Sequence, residues 1–191
     1  HRLLRWAEID AAGRLALGPG LDGIFFEASN TRSFAGEAAR AEFRERWLGR
    51  FLRLDPREAF VALGADGRCI GYLIGCLADP AITPRFADIG YFPLLADLTA
   101  HYPAHLHVNM APEARDQGIG SRLIEAFADH AADSGVPGMH VVTGEGLRNV
   151  GFYLKCGFTT VRVFPWNGRS LVMLARALPR RAASAPAGPS L

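Results

Sequence analysis

Apolar side chains along the chain switch between two periods, alternation and helical spacing, and these divide it into strands and helices. Residues 3–9 (LLRWAEI) read as a first strand. Residues 11–20 are rich in glycine and read as a loop, and residues 24–28 as a short helix with Asp22 as its cap. Between residues 37 and 54, Ala38, Ala41, Phe43, Trp47, Leu48, Phe51 and Leu54 recur at helical spacing, and Asp55-Pro56 ends the run. Residues 59–63 (AFVAL) and 69–77 (CIGYLIGCL) alternate or run apolar around a Gly-Ala-Asp-Gly turn, which predicts a hairpin. Residues 80–102 hold two short helix-like pieces, of which 92–100 is the better.

The second half is more regular. Residues 105–110 (HLHVNM) alternate like a strand, and residues 118–133 carry an apolar stripe of Ile119, Leu123, Ile124, Phe127, Ala128 and Ala131. A strand at 139–143, a short helix at 147–156 closed by Gly157, and strands at 158–164 and 170–175 follow. The order predicts an α/β domain with a mixed sheet spanning residues 1–178. Residues 179–191 (PRRAASAPAGPSL) read as a disordered tail.

Composition narrows the partners. The 21 basic and 19 acidic side chains give a formal charge of +2, which argues against a nucleic-acid footprint and against an anionic membrane partner. Lys155 is the only lysine, and with abundant Ala and Gly this suggests a GC-rich bacterial genome. Cys69, Cys76 and Cys156 are odd in number and match no metal spacing, so no metal site is expected and the reducing cytoplasm is the natural compartment. No signal peptide opens the sequence, and no apolar run reaches the roughly 18 residues of a membrane span.

The most informative segment is VNMAPEARDQGIGSRLI, residues 108–124. A strand ends at Met110, and Gly118 and Gly120 stand where a helix begins. Unpaired N–H groups of a first helical turn, with the helix dipole behind them, make an anion site. The glycines let a phosphate approach the backbone, and Arg115 adds a charge-assisted contact. The loop lacks the lysine of a P-loop and the third glycine of a dinucleotide-binding turn. What remains is Arg-x-x-Gly-x-Gly: Arg115, Gly118, Gly120.

This pattern resembles the GNAT family of N-acetyltransferases, whose signature is Arg/Gln-x-x-Gly-x-Gly/Ala after a strand and a Pro-containing turn. Pro112, Glu113 and Arg115 match the P-E-x-R often seen there. A second family feature, an aromatic-Tyr pair before x-x-x-Gly-Phe, is matched by FYLKCGF, residues 152–158, which begins 32 positions after Gly120. Residues 102–120 also look like the acetyltransferase-like domains related to the C-terminal region of O-GlcNAcase. Two positions depart: Asp116 stands where the family usually has Gly, and Gly146 where it often has Asn.

The resemblance implies an acyl-CoA N-acyltransferase fold, a mixed and mostly antiparallel central sheet flanked by helices. It implies acetyl-CoA as donor, a primary amine on a small molecule or peptide as acceptor, and the option of a homodimer. The N–H groups of Gln117, Gly118, Ile119, Gly120 and Ser121 then hold the pyrophosphate. Val108 and Met110 offer backbone groups to the pantetheine arm, and Asn149 stands in for the missing Asn. Tyr153 is the candidate general acid for the departing thiolate. A free amine, with a pKa near about 10, is mostly protonated at neutral pH, so a base or water relay helps. His105 and His107, alternate residues on the strand beside the cofactor, are candidates, and Glu58 is a weaker one. Asn109 shares their face and is a candidate for substrate binding, as are Phe25, Phe26 and Tyr91 in the early helices and the irregular segment, where core packing is the competing role. Arg44, Arg46, Arg50, Arg53 and Arg57 read as the solvated face of a helix. Two readings from other classes stand beside this one: a non-catalytic acyl-CoA-binding module, and a nucleotide-binding domain of another type.

Overall fold

The computed structural model describes residues 1–29, 31 and 33–179; the tail assigned to 179–191 lies, but for Pro179, outside the described residues. A seven-stranded sheet runs through the domain: β1 (Arg2–Arg5), β2 (Phe60–Leu63), β3 (Cys69–Cys76), β4 (Ala104–Met110), β5 (Gly138–Gly144), β6 (Thr159–Trp166) and β7 (Arg169–Ala177). Its spatial order is β1-β2-β3-β4-β5-β7-β6, antiparallel throughout except for the parallel pair β4 and β5. The helices are α1 (Ala11–Ala28), α2 (Glu37–Arg44), α3 (Arg50–Leu54), the short α4 (Ala96–Thr99), α5 (Ile119–Asp133) and α6 (Arg148–Lys155).

The amino-terminal region departs most from expectation. Residues 11–20 are not a loop but the first half of α1. Gly13, Gly18, Gly20, Gly23 and Pro19 all oppose a helix locally. The helix forms because Asp10 caps it, accepting from the Gly13 N–H at 2.7 Å, and because Leu21, Ile24 and Phe25 bury against the sheet. Asp22 therefore caps nothing; it lies inside α1 and pairs with Arg44 at 2.7 Å. The first strand is also shorter than expected, giving way to a 3-10 turn at Trp6–Glu8. The helix expected over 37–54 is continuous in path but widens into a π turn at Glu45–Gly49, which carries Trp47 and Leu48.

The two faces of the sheet are covered differently. Leu73, Gly75, Leu106 and Val108 lie on the face packed by α5, whose stripe of Ile119, Leu123, Ile124 and Phe127 is fully buried. Tyr72, Ile74 and Cys76 pair with Asn109, His107 and His105 on the other face, under α1 and the α2–α3 stretch. There Trp47 and Phe51 meet the His107 ring edge-on at 5.7 and 5.6 Å. The connection between β3 and β4 is tied down on both sides. Asp88 pairs with Arg46 and Arg50, Arg85 with Asp55, and Asp97 with Arg162 of β6. The arginines read as a solvated face thus do structural work: Arg44, Arg46 and Arg50 reach other elements, and the Arg50 side chain is only 13% exposed.

Close packing of α5 onto β3 requires Gly75. A Cβ there would overlap the Phe127 ring and sit 2.8 Å from the main-chain oxygen of His105. Gly75→Ala is expected to cost about 1–3 kcal/mol in urea denaturation. Gly23→Ala, in α1 with open space around it, is expected to stabilise by about 0.5–1 kcal/mol in the same assay.

Candidate active site

β4 and β5 pair only at Ala104 with Met139 and His105 with His140, although β4 continues to Met110 and β5 to Gly144. Beyond His105 the two strands part, and the main-chain groups of β4 that face β5 have no strand partner. The opening holds a cavity of about 100 Å³ lined by His107, Val108 and Asn109 of β4, Thr143 of β5, and Asn149 and Tyr153 of α6.

At the wide end of this opening stands the glycine-rich loop. A 3-10 turn, Pro112–Ala114, follows β4. Asp116 and Gly118 take positive φ, 59° and 74°, and the chain turns into α5 at Ile119. The first helical bond runs from the Arg122 N–H to the Gly118 oxygen. The N–H groups of Gln117, Gly118, Ile119, Gly120 and Ser121 precede it and find no acceptor among the described residues. Five donors without an acceptor at the positive end of a fifteen-residue helix suit a diphosphate. Gly120 sits under Phe152, where a Cβ would come within 3.2 Å of the ring. Asp116 turns its carboxylate to Arg148 at 2.9 Å in an exposed ion pair. Arg115 donates through Nε to the Met110 oxygen at 3.2 Å.

Tyr153 lies in the opening beside Val108, buried, with Phe158 and Phe152 around its ring. Burial pushes its phenol up, partly opposed by a contact to the Val108 main chain, so the hydroxyl stays protonated at any working pH. Burial holds His107 down to about 4, with His140 adding to the shift, so the imidazole is neutral at pH 7. His105 is further inside, 3% exposed, enclosed by Phe51, Phe86, Phe92 and His140, with neither ring nitrogen hydrogen-bonded. It does not reach the cavity.

The structure thus brings together Tyr153, His107, Val108, Asn109 and Asn149 around one opening, with Met110 and the 115–121 loop at its wide end. It does not bring the aromatic candidates there. Phe25 packs with Phe26 and Phe43, and Tyr91 with Phe92 and Trp166; none of Phe25, Phe26 and Tyr91 lines the cavity. Glu58 pairs with His130 at 3.3 Å and is not at the opening either. Gly146 has φ of 74°, a backbone that favours glycine, while Asn149 does reach the cavity and donates to Thr143 Oγ1 at 2.9 Å. Sequence reasoning missed Thr143, Trp47 and Tyr72. Tyr72 is placed beside the site only by pairing of β3 with β4 across a 27-residue connection, and no local pattern announces that pairing.

A split parallel pair of strands with a helix-start diphosphate cradle defines the acyl-CoA N-acyltransferase class of fold. The sequence profile described as the acetyltransferase (GNAT) family matches residues 25–158, and the chain belongs to that family. Among solved structures the fold is similar to SsHAT (22% identity, TM-score 0.67, covering 92% of this chain and 97% of that one). It is similar to the ribosomal-protein-alanine N-acetyltransferase of Brucella melitensis (20%, 0.60, 93% and 100%). It is also similar to a phosphinothricin acetyltransferase of Sinorhizobium meliloti in complex with AcCoA (18%, 0.60, 98% and 93%). The protein is an acetyltransferase, with acetyl-CoA as the donor that membership of this family gives it. The residues present fit that donor: unpartnered amides for the diphosphate, and β4 backbone without a strand partner for an extended arm.

The buried histidines make stability pH-dependent. His105, His107 and His140 all have folded-state pKa values below the unfolded value near 6.5. As pH falls through 6.5 the unfolded chain takes up protons that the folded chain refuses, so stability drops until the folded values, near 4 for His107 and His140, are passed. The slope is about 1.4 kcal/mol per pH unit for each histidine. The carboxylates of Glu58, Asp88, Asp97 and Glu125, held below their usual values, lose stability only below about 4.5, and Asp55, raised by burial, acts in the opposite sense. Urea midpoints are therefore expected to fall steadily from pH 7 to pH 5, with about two to three protons taken up on unfolding at pH 5.

Proposed function

We propose that this acetyltransferase acts on nitrogen, moving the acetyl group to a primary amine of a small molecule or peptide by direct attack. One observation carries the reading: five unpartnered N–H groups at the start of α5 stand at the wide end of a strand opening that Tyr153 lines. Bound acetyl-CoA supplies the thioester acyl group and a thiolate leaving group. The amides of residues 117–121 and the Arg115 guanidinium hold the diphosphate, and the β5-facing main chain at Val108 and Met110 holds the arm. Tyr153 donates its phenolic proton to the departing sulfur, and the proton that the nitrogen sheds on becoming an amide returns through water to the phenolate. Asn109 faces the acceptor. His107, neutral, is too weak a base to take a proton from an ammonium of pKa about 10, so the acceptor enters as free amine or loses its proton to water. Much of the rate comes from aligning two bound reactants.

A non-catalytic acyl-CoA-binding module finds no support in the comparisons. The kinship with O-GlcNAcase-related domains rests on residues 102–120 alone. Its assignment to a bacterial cytoplasm rests on composition and on the free cysteines Cys69, Cys76 and Cys156. No described helix is long and apolar enough to cross a membrane.

Calorimetric titration with acetyl-CoA, run beside ATP and NAD, is expected to give micromolar binding of acetyl-CoA alone, abolished in Gly120→Glu, whose side chain must displace Phe152 or enter the cradle. Absence of binding to folded wild-type protein would sink the assignment. Tyr153→Phe is expected to lower kcat about 100-fold while leaving acetyl-CoA affinity within about twofold. The logarithm of kcat/KM is expected to rise with pH up to the pKa of the acceptor amine, without a histidine inflection between about pH 5 and 8.

A further inference from the structure

Tyr72 on β3 stands directly opposite Asn109 on β4, on the face that carries His105 and His107. The two side chains are bonded: Asn109 donates through Nδ2 to the Tyr72 hydroxyl oxygen at 2.8 Å. Tyr72 is fully buried, whereas Asn109 lines the cavity. Behind Tyr72 lie Asp22 of α1 and Arg44 of α2, paired with each other and close enough to act on the phenol, which burial keeps protonated.

A side-chain amide has a donor end and an acceptor end, and fixing one decides what the other offers. With Nδ2 held by Tyr72, Asn109 is left with Oδ1 as a free acceptor. Of the other polar side chains lining the cavity, His107 is a neutral imidazole held edge-on by Trp47 and Phe51. Thr143 and Asn149 satisfy each other, the Tyr153 hydroxyl lies against the Val108 main chain, and no Asp or Glu is among the lining residues. An amine that must attack carbon keeps its lone pair free only when its N–H groups point to acceptors, and Oδ1 is such an acceptor.

We propose that Tyr72 is a positioning residue for the acceptor: its hydroxyl holds the Asn109 amide so that Oδ1 accepts an N–H of the incoming amine and aims the nitrogen lone pair at the acyl carbon. This rests on the N-acetyltransferase reading above. Without the hydroxyl the amide is free to turn, and its Nδ2 hydrogens then face the amine N–H groups.

The test uses tyramine, glycinamide and an alanine-terminated tetrapeptide as acceptors, with release of free thiol as readout, and carries the best of them forward. In Tyr72→Phe, KM for the amine is expected to rise about tenfold, with kcat within about threefold and acetyl-CoA affinity within about twofold. Asn109→Ala is expected to match it, and the double variant to be no worse than Asn109→Ala alone. Unchanged KM in Tyr72→Phe, additive effects in the double variant, or an equal loss of acetyl-CoA affinity overturns the proposal. If Tyr72→Phe does not fold, Asn109→Asp decides: a carboxylate accepts at both oxygens and needs no orienting, so KM should stay within about threefold of wild type, and a KM as high as in Asn109→Ala overturns the proposal. If wild-type protein acetylates none of the three amines, the N-acetyltransferase reading fails for these acceptors and the inference falls with it; turnover with a silent Tyr72→Phe sinks the inference alone.

Discussion

The site depends on one interruption of hydrogen bonding, the parting of β4 and β5 after a single pair of ladder steps. A parallel ladder continued to Met110 would have satisfied the β4 backbone and left no opening. Unpaired backbone in a buried sheet is costly, so the structure holds it only where a ligand or water can complete the bonds. The splay also turns the end of β4 outward into the 3-10 turn and the loop that starts α5. The opening and the placement of the loop at its wide end therefore follow from one geometric event.

Behind the opening the sheet is braced on unequal faces. On one side α5 drops onto Gly75 and Leu106 through a fully buried apolar stripe, which fixes the direction of its dipole. On the other side the packing is aromatic. Trp47, Phe51, Phe86 and Phe92 surround His105 and His107, and the arginine–aspartate ties of the β3–β4 connection hold that layer closed. Neutral imidazoles serve there as packing elements with a polar edge. Enclosure makes His105 part of the core, and burial leaves His107, two positions on, too weak a base for proton transfer, so both act by packing.

The π turn at Glu45–Gly49 belongs to the same economy. It widens the helix by one residue and swings Trp47 onto His107. Bulges of this kind persist when packing repays the poorer hydrogen bonding.

The loop and what flanks it were legible in the sequence because their physics is local. Gly118 with positive φ, a short turn after Met110 and the amphipathic α5 are all set by neighbouring residues. The two halves of the signature lie one strand apart, and Tyr153 was found the same way. The amino-terminal helix was not legible: its glycines and Pro19 favour a loop, and only burial of Leu21, Ile24 and Phe25 against a distant sheet reverses that preference. Nor could periodicity say that Phe25 and Tyr91 pack in the core while Asn149 reaches the cavity, since each is an ordinary residue of a short helix or turn. The sequence by itself determined the family, the glycine-rich loop and the helix that follows it. The tertiary structure alone decided where β4 leaves β5, which histidine faces the cavity and that Tyr72 stands behind Asn109, because those follow from pairings between segments whose separation along the chain leaves no local trace.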